Sequence, residues 1–210
     1  MWNKKFNFIA ILLIVVIGLG ISFTVVTSAD TTNFNSDFME GTFVGHVDLK
    51  NASESYMQSY EDSQNKITYN ISTVDDTVSL MDIYYLQGVM NPTKLSINGN
   101  DWNIYFSEAI ENETGNTLTI VICQCQKEKQ GYFIYAIFDS NSTVNTTVNT
   151  YGDSYTKFVE PLLKSITLKE SSNVPTVSSQ FGLTDDQFAQ QMELIQQYKA
   201  GNTSALEGAQ

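Results

Sequence analysis

Two cysteines separated by a single residue, Cys123 and Cys125, are the side chains of this sequence best suited to chemistry. In a strand, residues two apart point to the same face with Cα atoms about 6.6 Å apart. That spacing is at the far end of the disulfide range, so a bridge between them requires a broken strand. Packing as small apolar side chains is the favoured interpretation. A metal or redox site and an intermolecular disulfide are the alternatives.

The only histidine of the chain, His46, would have to complete any metal site or serve as the base for a nucleophile. It lies in a run, residues 42–49, whose composition predicts a strand, where a hydrogen-bonded structural imidazole is expected. The adjacent pairs Asp75-Asp76 and Asp185-Asp186 lack the alternating spacing of a calcium loop. We therefore predict no catalytic residue, no cofactor and no enzymatic activity.

An uncharged apolar stretch determines where we expect these side chains to be located. Residues 8–26 carry no charge, and fourteen of these nineteen residues are Ile, Leu, Val or Phe. As a helix they would span about 29 Å, the thickness of a bilayer core. Lys4 and Lys5 precede the stretch, which places residues 1–5 in the cytoplasm and the domain outside. We expect a single-pass anchor over residues 6–29 in the cell membrane; the alternative is a signal peptide cleaved after Ala29.

Composition limits the partners and suggests surface modification. The chain has a formal net charge of −12 and no arginine, so nucleic acid is excluded as a partner and anionic lipid headgroups are disfavoured. Export would make glycosylation possible at Asn-X-Ser/Thr sequences. The candidate acceptors are Asn51, Asn70, Asn112, Asn141, Asn145 and Asn202.

The remainder of the chain divides into one domain with flanking segments. We predict a polar stalk over residues 30–41, an extracytoplasmic α/β domain over 42–168, a linker over 169–182, an amphipathic helix over 183–200 and a flexible tail over 201–210. Because the linker has no periodicity, it is expected to be mobile.

Within the domain, patterning predicts a mostly antiparallel sheet with helices. Asn98-Gly99 is a strong hairpin signal because both residues tolerate positive φ. Asn51 is expected to cap a short helix that buries Tyr56 and Tyr60. Pro161 should interrupt a second helix over residues 151–166. The predicted strands are residues 42–49, 67–73, 79–86, 93–97, 102–109, 118–126 and 132–139; for residues 79–86, which are apolar on both faces, a buried helix is the alternative.

The C-terminal helix is the best-defined local element of the chain. Thr184 and Gln187 form a capping-box pattern, and Phe188, Met192 and Ile195 form an apolar stripe. The stripe must dock on an apolar surface. We expect it to pack on its own domain, and insertion into a protein partner's groove is the alternative.

The segment 131–138 (Gly-Tyr-Phe-Ile-Tyr-Ala-Ile-Phe), followed by Tyr155, Phe158 and residues 162–166 (Leu-Leu-Lys-Ser-Ile), resembles the PsbP/Mog1-like family. The resemblance covers residues 40–168. Membrane-anchored proteins that resemble this family in the same general way occur in methanogenic archaea. It implies an antiparallel sheet sandwiched by helices. The family includes photosystem II subunits and Ran-binding proteins and shares no catalytic residues, so it implies an accessory binding role.

These observations predict a non-catalytic, membrane-anchored extracytoplasmic binding or accessory module of the cell envelope. The alternative is a metal-binding or thiol-redox protein that uses Cys123 and Cys125, with His46 as a further ligand. A small-molecule pocket lined by the many tyrosines is a third possibility.

Overall fold

The computed structural model describes residues 31–110, 115–139, 154–202 and 204. Their strands are β1 (Thr31–Asn35), β2 (Met39–Val44), β3 (Asp48–Glu54), β4 (Met57–Asp62), β5 (Ile67–Val74), β6 (Thr93–Ile97), β7 (Asn100–Ile110), β8 (Thr117–Lys127), β9 (Gln130–Phe138) and β10 (Thr167–Leu168). The helices are α1 (Thr77–Tyr85), α2 (Glu160–Ser165), α3 (Val177–Gln180) and α4 (Asp185–Lys199), and a π-helical segment (Tyr155–Val159) precedes α2.

A seven-stranded sheet with the order β3-β4-β5-β9-β8-β7-β6 forms the centre of the domain. Every pairing in it is antiparallel. Its two central strands, β8 and β9, read as nearly continuous apolar runs because both of their faces are buried. A second sheet of three strands, β1-β2-β10, is also antiparallel.

Two apolar cores lie on opposite faces of the large sheet. The first core joins the sheet to the small sheet, the π-helical segment and α2, with Phe43, Trp102 and Leu162 among its fully buried side chains. The second core joins the sheet to α1 and α4 through residues such as Leu80 and Ile195. The result is three layers, with helices on both sides of the sheet.

Local signals explain several of these elements. Asn98 and Gly99 have φ values of 51° and 73°, as the tight turn between β6 and β7 requires. Asp76 caps α1 by accepting hydrogen bonds from the backbone N–H groups of Val78 and Ser79. Pro161 lies in the first turn of α2, where its missing N–H costs nothing.

The mixed α/β class and the antiparallel sheet are confirmed, as are the strands predicted over residues 67–73, 93–97, 102–109, 118–126 and 132–139. The predicted strand over 42–49 exists as parts of β2 and β3, separated by a bend at 45–47. The expected anchor over 6–29 lies outside the described residues. None of the helices that the structure describes combines the length and the apolar character needed to cross a bilayer.

The predicted stalk over residues 30–41 is wrong. Residues 31–35 form β1, and β2 begins at Met39. Phe38 and Met39 are fully buried in the first core, and Phe34 stacks on Phe43 with ring centroids 4.7 Å apart. The polar residues that suggested a stalk lie on the outward side of β1, an edge strand. Over so few residues, the alternation of polar and apolar side chains does not distinguish a strand from a linker.

Two assignments of local structure are also wrong. Asn51 does not cap a helix, because residues 48–62 form the β3–β4 hairpin; the capping-box pattern was overridden by cross-strand pairing. Of residues 79–86, for which a strand was favoured over a buried helix, 79–85 belong to α1 and Leu86 is its C-cap. Apolar side chains on both faces fit either structure, and the Asp76 cap decides for the helix.

The segment predicted as a mobile linker, residues 169–182, packs on the domain. Val177 is buried in the second core, and the Asp75 N–H donates to the Pro175 carbonyl at 3.1 Å. The Lys169 carbonyl accepts a hydrogen bond from the Tyr132 hydroxyl at 3.0 Å. The lack of periodicity in residues 169–182 therefore reflects an irregular segment that packs on the domain and contains the short helix α3, rather than a mobile linker.

Candidate functional site

Both cysteines lie on β8 and point into the first core. Cys123 and Cys125 are free thiols and are 0% and 3% exposed, respectively. Burial raises the pKa of each thiol. A reactive or metal-binding cysteine needs the thiolate, which an apolar environment disfavours. Their environment corresponds to the packing interpretation.

His46 does not lie within a strand as the hydrogen-bonded structural imidazole that we expected. It lies in the bend between β2 and β3 with its side chain 74% exposed, and its Nε2 is 3.5 Å from Asp48 Oδ1. Strands β4, β5 and β9 separate β3 from β8, a distance of about 19 Å at the usual strand spacing. The structure therefore does not bring His46 to the cysteines. Over the described ranges, no three His, Cys, Asp or Glu residues are placed to hold a metal ion.

The six candidate glycosylation sites fall into three groups. Asn51 and Asn202 are exposed, so each can carry a glycan. Asn70 is 7% exposed within β5, between β4 and β9, and this fold has no room for a glycan there. Asn112, Asn141 and Asn145 lie outside the described residues.

The apolar stripe of the C-terminal helix is docked on its own domain. Ile195 is 5% exposed in the second core, and Phe188 and Met192 pack against the same core. The Thr184–Gln187 capping box is present at the start of α4. Of the three residues proposed as partner-helix candidates, Ile195 is therefore buried and Phe188 and Met192 are partly buried against their own domain, as the self-docking expectation requires.

A polar contact that the sequence did not reveal also holds α4. The Asp82 carboxylate on α1 accepts hydrogen bonds from the side chains of Gln196 and Lys199. The Lys199 ammonium also lies 5.3 Å from the centre of the Tyr85 ring, within cation–π range. The sequence signal that could have revealed this contact is Asp82, the one charged residue in the mostly apolar run 79–86. A carboxylate in a buried run needs a hydrogen-bond or ionic partner.

A tyrosine pair lies beneath the same helical layer. The hydroxyl oxygens of Tyr84 on α1 and Tyr135 on β9 are 3.1 Å apart, and their rings meet edge to face. Burial raises the pKa of both phenols, so both stay protonated at neutral pH. The pair links α1 to the sheet; it is not a tyrosine-lined pocket open to a ligand.

A cleft of about 250 Å³ is lined by three of the four aspartates singled out from the sequence. It lies where β5 leads into α1 and where α3 and α4 begin. Asp75, Asp76 and Asp185 line it together with Ser178 and Phe188. The tertiary structure thus joins the two acidic pairs, which are about 110 residues apart in the sequence.

Each cleft carboxylate already binds a group of the protein itself. Asp75 Oδ1 accepts the Val177 N–H at 3.0 Å, at the first residue of α3. Asp76 caps α1, and Asp185, in the first turn of α4, accepts the Ser178 hydroxyl at 2.8 Å. Three helix N-termini converge here, and each favours a nearby negative charge. The stabilisation of these three helix N-termini by nearby negative charge accounts for the aspartates that line the cleft.

Comparisons with known proteins add little to this description. No family model matches the chain, and no curated protein matches it. Among solved structures it is similar to a protein from Bacteroides thetaiotaomicron VPI-5482, determined at 1.50 Å resolution, with 8% sequence identity and a TM-score of 0.41. The match covers 63% of this chain and 46% of that protein, so the chain spans about half of its length. A likeness this distant carries no argument about function.

Proposed function

We propose that the protein is a non-catalytic binding or accessory module, anchored in the cell membrane by one helix and displayed outside the cell. The observation that carries this proposal is the short distance along the chain between the apolar stretch and the fold. The stretch ends at Val26 and β1 begins at Thr31. A stretch long enough to span a bilayer thus leads almost directly into a folded domain.

The environment of the candidate chemical groups supports binding over catalysis. The thiols are buried with raised pKa values, and the cleft carboxylates serve helix N-termini. The exposed His46 has only Asp48 as an ionic neighbour in the described structure. The thiol-redox and metal alternative gains no support from these contacts.

The three-layer order is compatible with the resemblance to the PsbP/Mog1-like family. In this proposal, the sheet with α1 and α4 on one face and α2 on the other corresponds to the sandwich of that family. An accessory binding role follows from the resemblance, and no functional residue is transferred with it.

A protein partner, within this proposal, would contact the outward face of α4. Gln190, Gln191 and Glu193 are exposed there, whereas the apolar stripe is covered. The partner contact would therefore be polar and easily disrupted by a charge change.

Membrane fractionation tests the anchor. The native chain should remain with the membrane pellet after alkaline carbonate washing, and its domain should be digested by protease added outside intact cells. A variant with Leu13→Asp and Val16→Asp should lose membrane retention, because each charge costs about 3 kcal/mol at the centre of a spanning helix. Recovery of the native chain in the soluble fraction would contradict the proposal.

Crosslinking in native membranes tests the binding role. We expect a defined partner to be captured by the native chain and lost in the variant Gln190→Lys with Glu193→Lys. The control is Lys94→Glu on β6, which changes the charge of another exposed side chain that lies away from α4. Truncation before α4 is unsuitable because it removes Ile195 from the second core, together with Phe188 and Met192, which pack against that core.

A further inference from the structure

We propose that the domain rests on the bilayer with a defined end toward the lipid headgroups and with the acidic cleft facing away from the membrane. We call the membrane-facing end the proximal end and define it by the bend at 45–47 and the turn at 63–66. This inference rests on the anchor of the proposed function. The partner surface is the headgroup layer itself.

The length of the connection limits how far the domain can move from the bilayer. Residues 27–30 separate the apolar stretch from β1. Fully extended, four residues reach at most about 14 Å. The headgroup layer on one side of a bilayer is about 5–7 Å thick. The first residue of β1 can therefore lie at most about 9 Å beyond the outer edge of the headgroups.

Hydrogen bonds fix which part of the fold surrounds that first residue. Thr31 pairs with Val44, the last residue of β2. The Thr32 hydroxyl donates to the Gly45 carbonyl at 2.9 Å and accepts the Val47 N–H at 3.0 Å. The start of β1 is thus joined to the bend at 45–47.

The same end continues into the large sheet. The Cα of Gly45, with φ of 98°, lies so close to Asp62 that an added Cβ would meet Asp62 Oδ2 at 2.8 Å. Asp62 accepts the Asn65 N–H at 2.9 Å within the β4–β5 turn. The Lys66 carbonyl accepts the Asp139 N–H at 3.2 Å after β9. These contacts place the bend at 45–47, the β4–β5 turn at 63–66 and the end of β9 beside the start of β1.

The acidic cleft lies at the other end of the sheet. Strand β5 runs from Ile67, next to the proximal turn, to Val74, which directly precedes Asp75 and Asp76. Eight residues of strand cover about 26 Å. The cleft can therefore project up to about 26 Å farther from the bilayer than the proximal end.

Depth-dependent fluorescence quenching tests the orientation in the full-length protein. Gln64→Cys at the proximal end and Lys129→Cys in the β8–β9 turn are both exposed positions, and the native thiols are buried, so labelling will be selective. Each variant is reconstituted into phosphatidylcholine vesicles that carry a headgroup spin label. We expect at least threefold stronger quenching at position 64 than at position 129. Equal or reversed quenching would overturn the orientation.

Two controls separate this inference from the anchor itself. Inserting fifteen Gly/Ser residues between Asp30 and Thr31 gives a flexible reach of about 21 Å and should remove the difference in quenching. Flotation with the same vesicles reports the anchor independently. Protein that fails to float refutes both the anchor and the orientation, whereas protein that floats with equal quenching refutes the orientation alone.

Discussion

The Asp82 carboxylate on α1 pairs with the Lys199 ammonium in the last turn of α4, although 117 residues separate them in the sequence. Asp82 is 8% exposed, and its other carboxylate oxygen accepts a hydrogen bond from Gln196. Together with Ile195 in the second core, this contact makes α4 an integral part of the domain. A helix that the sequence places after a linker thus completes the fold.

Removal of the Lys199 charge should destabilise the protein. Lys199→Ala leaves a largely buried carboxylate with a single amide donor, and we expect the free energy of unfolding to fall by about 1–3 kcal/mol. Urea titration followed by the fluorescence of the buried Trp102 measures the loss. Lys164→Ala is the matched control, because its pair with Glu160 is an exposed i,i+4 contact worth about 0.5 kcal/mol or less. Equal losses in the two variants would contradict the buried-pair interpretation.

The carboxylates of the cleft should contribute stability as helix caps. Asp76→Ala removes the acceptor for two backbone N–H groups of α1, and we expect a loss of about 0.5–2 kcal/mol. Asp76→Asn, which keeps an acceptor oxygen, should retain most of the stability. If a divalent cation added to the native protein raised its melting temperature and Asp76→Asn abolished that shift, the cap explanation would be incomplete.

The two thiols should be unreactive in the folded protein. Because Cys123 and Cys125 are buried with raised pKa values, alkylation at pH 8 requires opening of the structure. With an opening free energy of about 5 kcal/mol, the rate should be at least a thousandfold lower than in urea. Mass spectrometry of timed iodoacetamide reactions gives both rates. Rapid labelling of either cysteine in native buffer would restore the thiol alternative.

Alkaline pH should unfold the domain through its buried phenols. Burial raises the pKa of Tyr60 and of Tyr132 to about 12. Since the unfolded phenols ionise near pH 10, the stability that they contribute is complete below pH 10 and is lost as the pH rises from about 10 to 12. The variants Tyr60→Phe and Tyr132→Phe should each shift the midpoint of alkaline unfolding upward. Circular dichroism records the unfolding, and Tyr198→Phe on α4 should leave the midpoint unchanged.

The sequence alone determined the elements whose signals are local. The Asn98-Gly99 turn, the central strands β8 and β9 and the capping box at Thr184 follow from φ requirements, apolar runs and side-chain acceptors, and each is present. The long uncharged stretch before residue 27 likewise follows from composition, and its role as an anchor remains a prediction.

The tertiary structure decided everything that depends on which surfaces meet. Residues 30–41 look like a stalk until β1 and β2 bury Phe38 and Met39, and Asn51 looks like a helix cap until β4 pairs with its strand. The cleft and the Asp82–Lys199 contact join residues more than 100 positions apart. Such contacts depend on strand order and helix docking, and a local pattern carries no information about either.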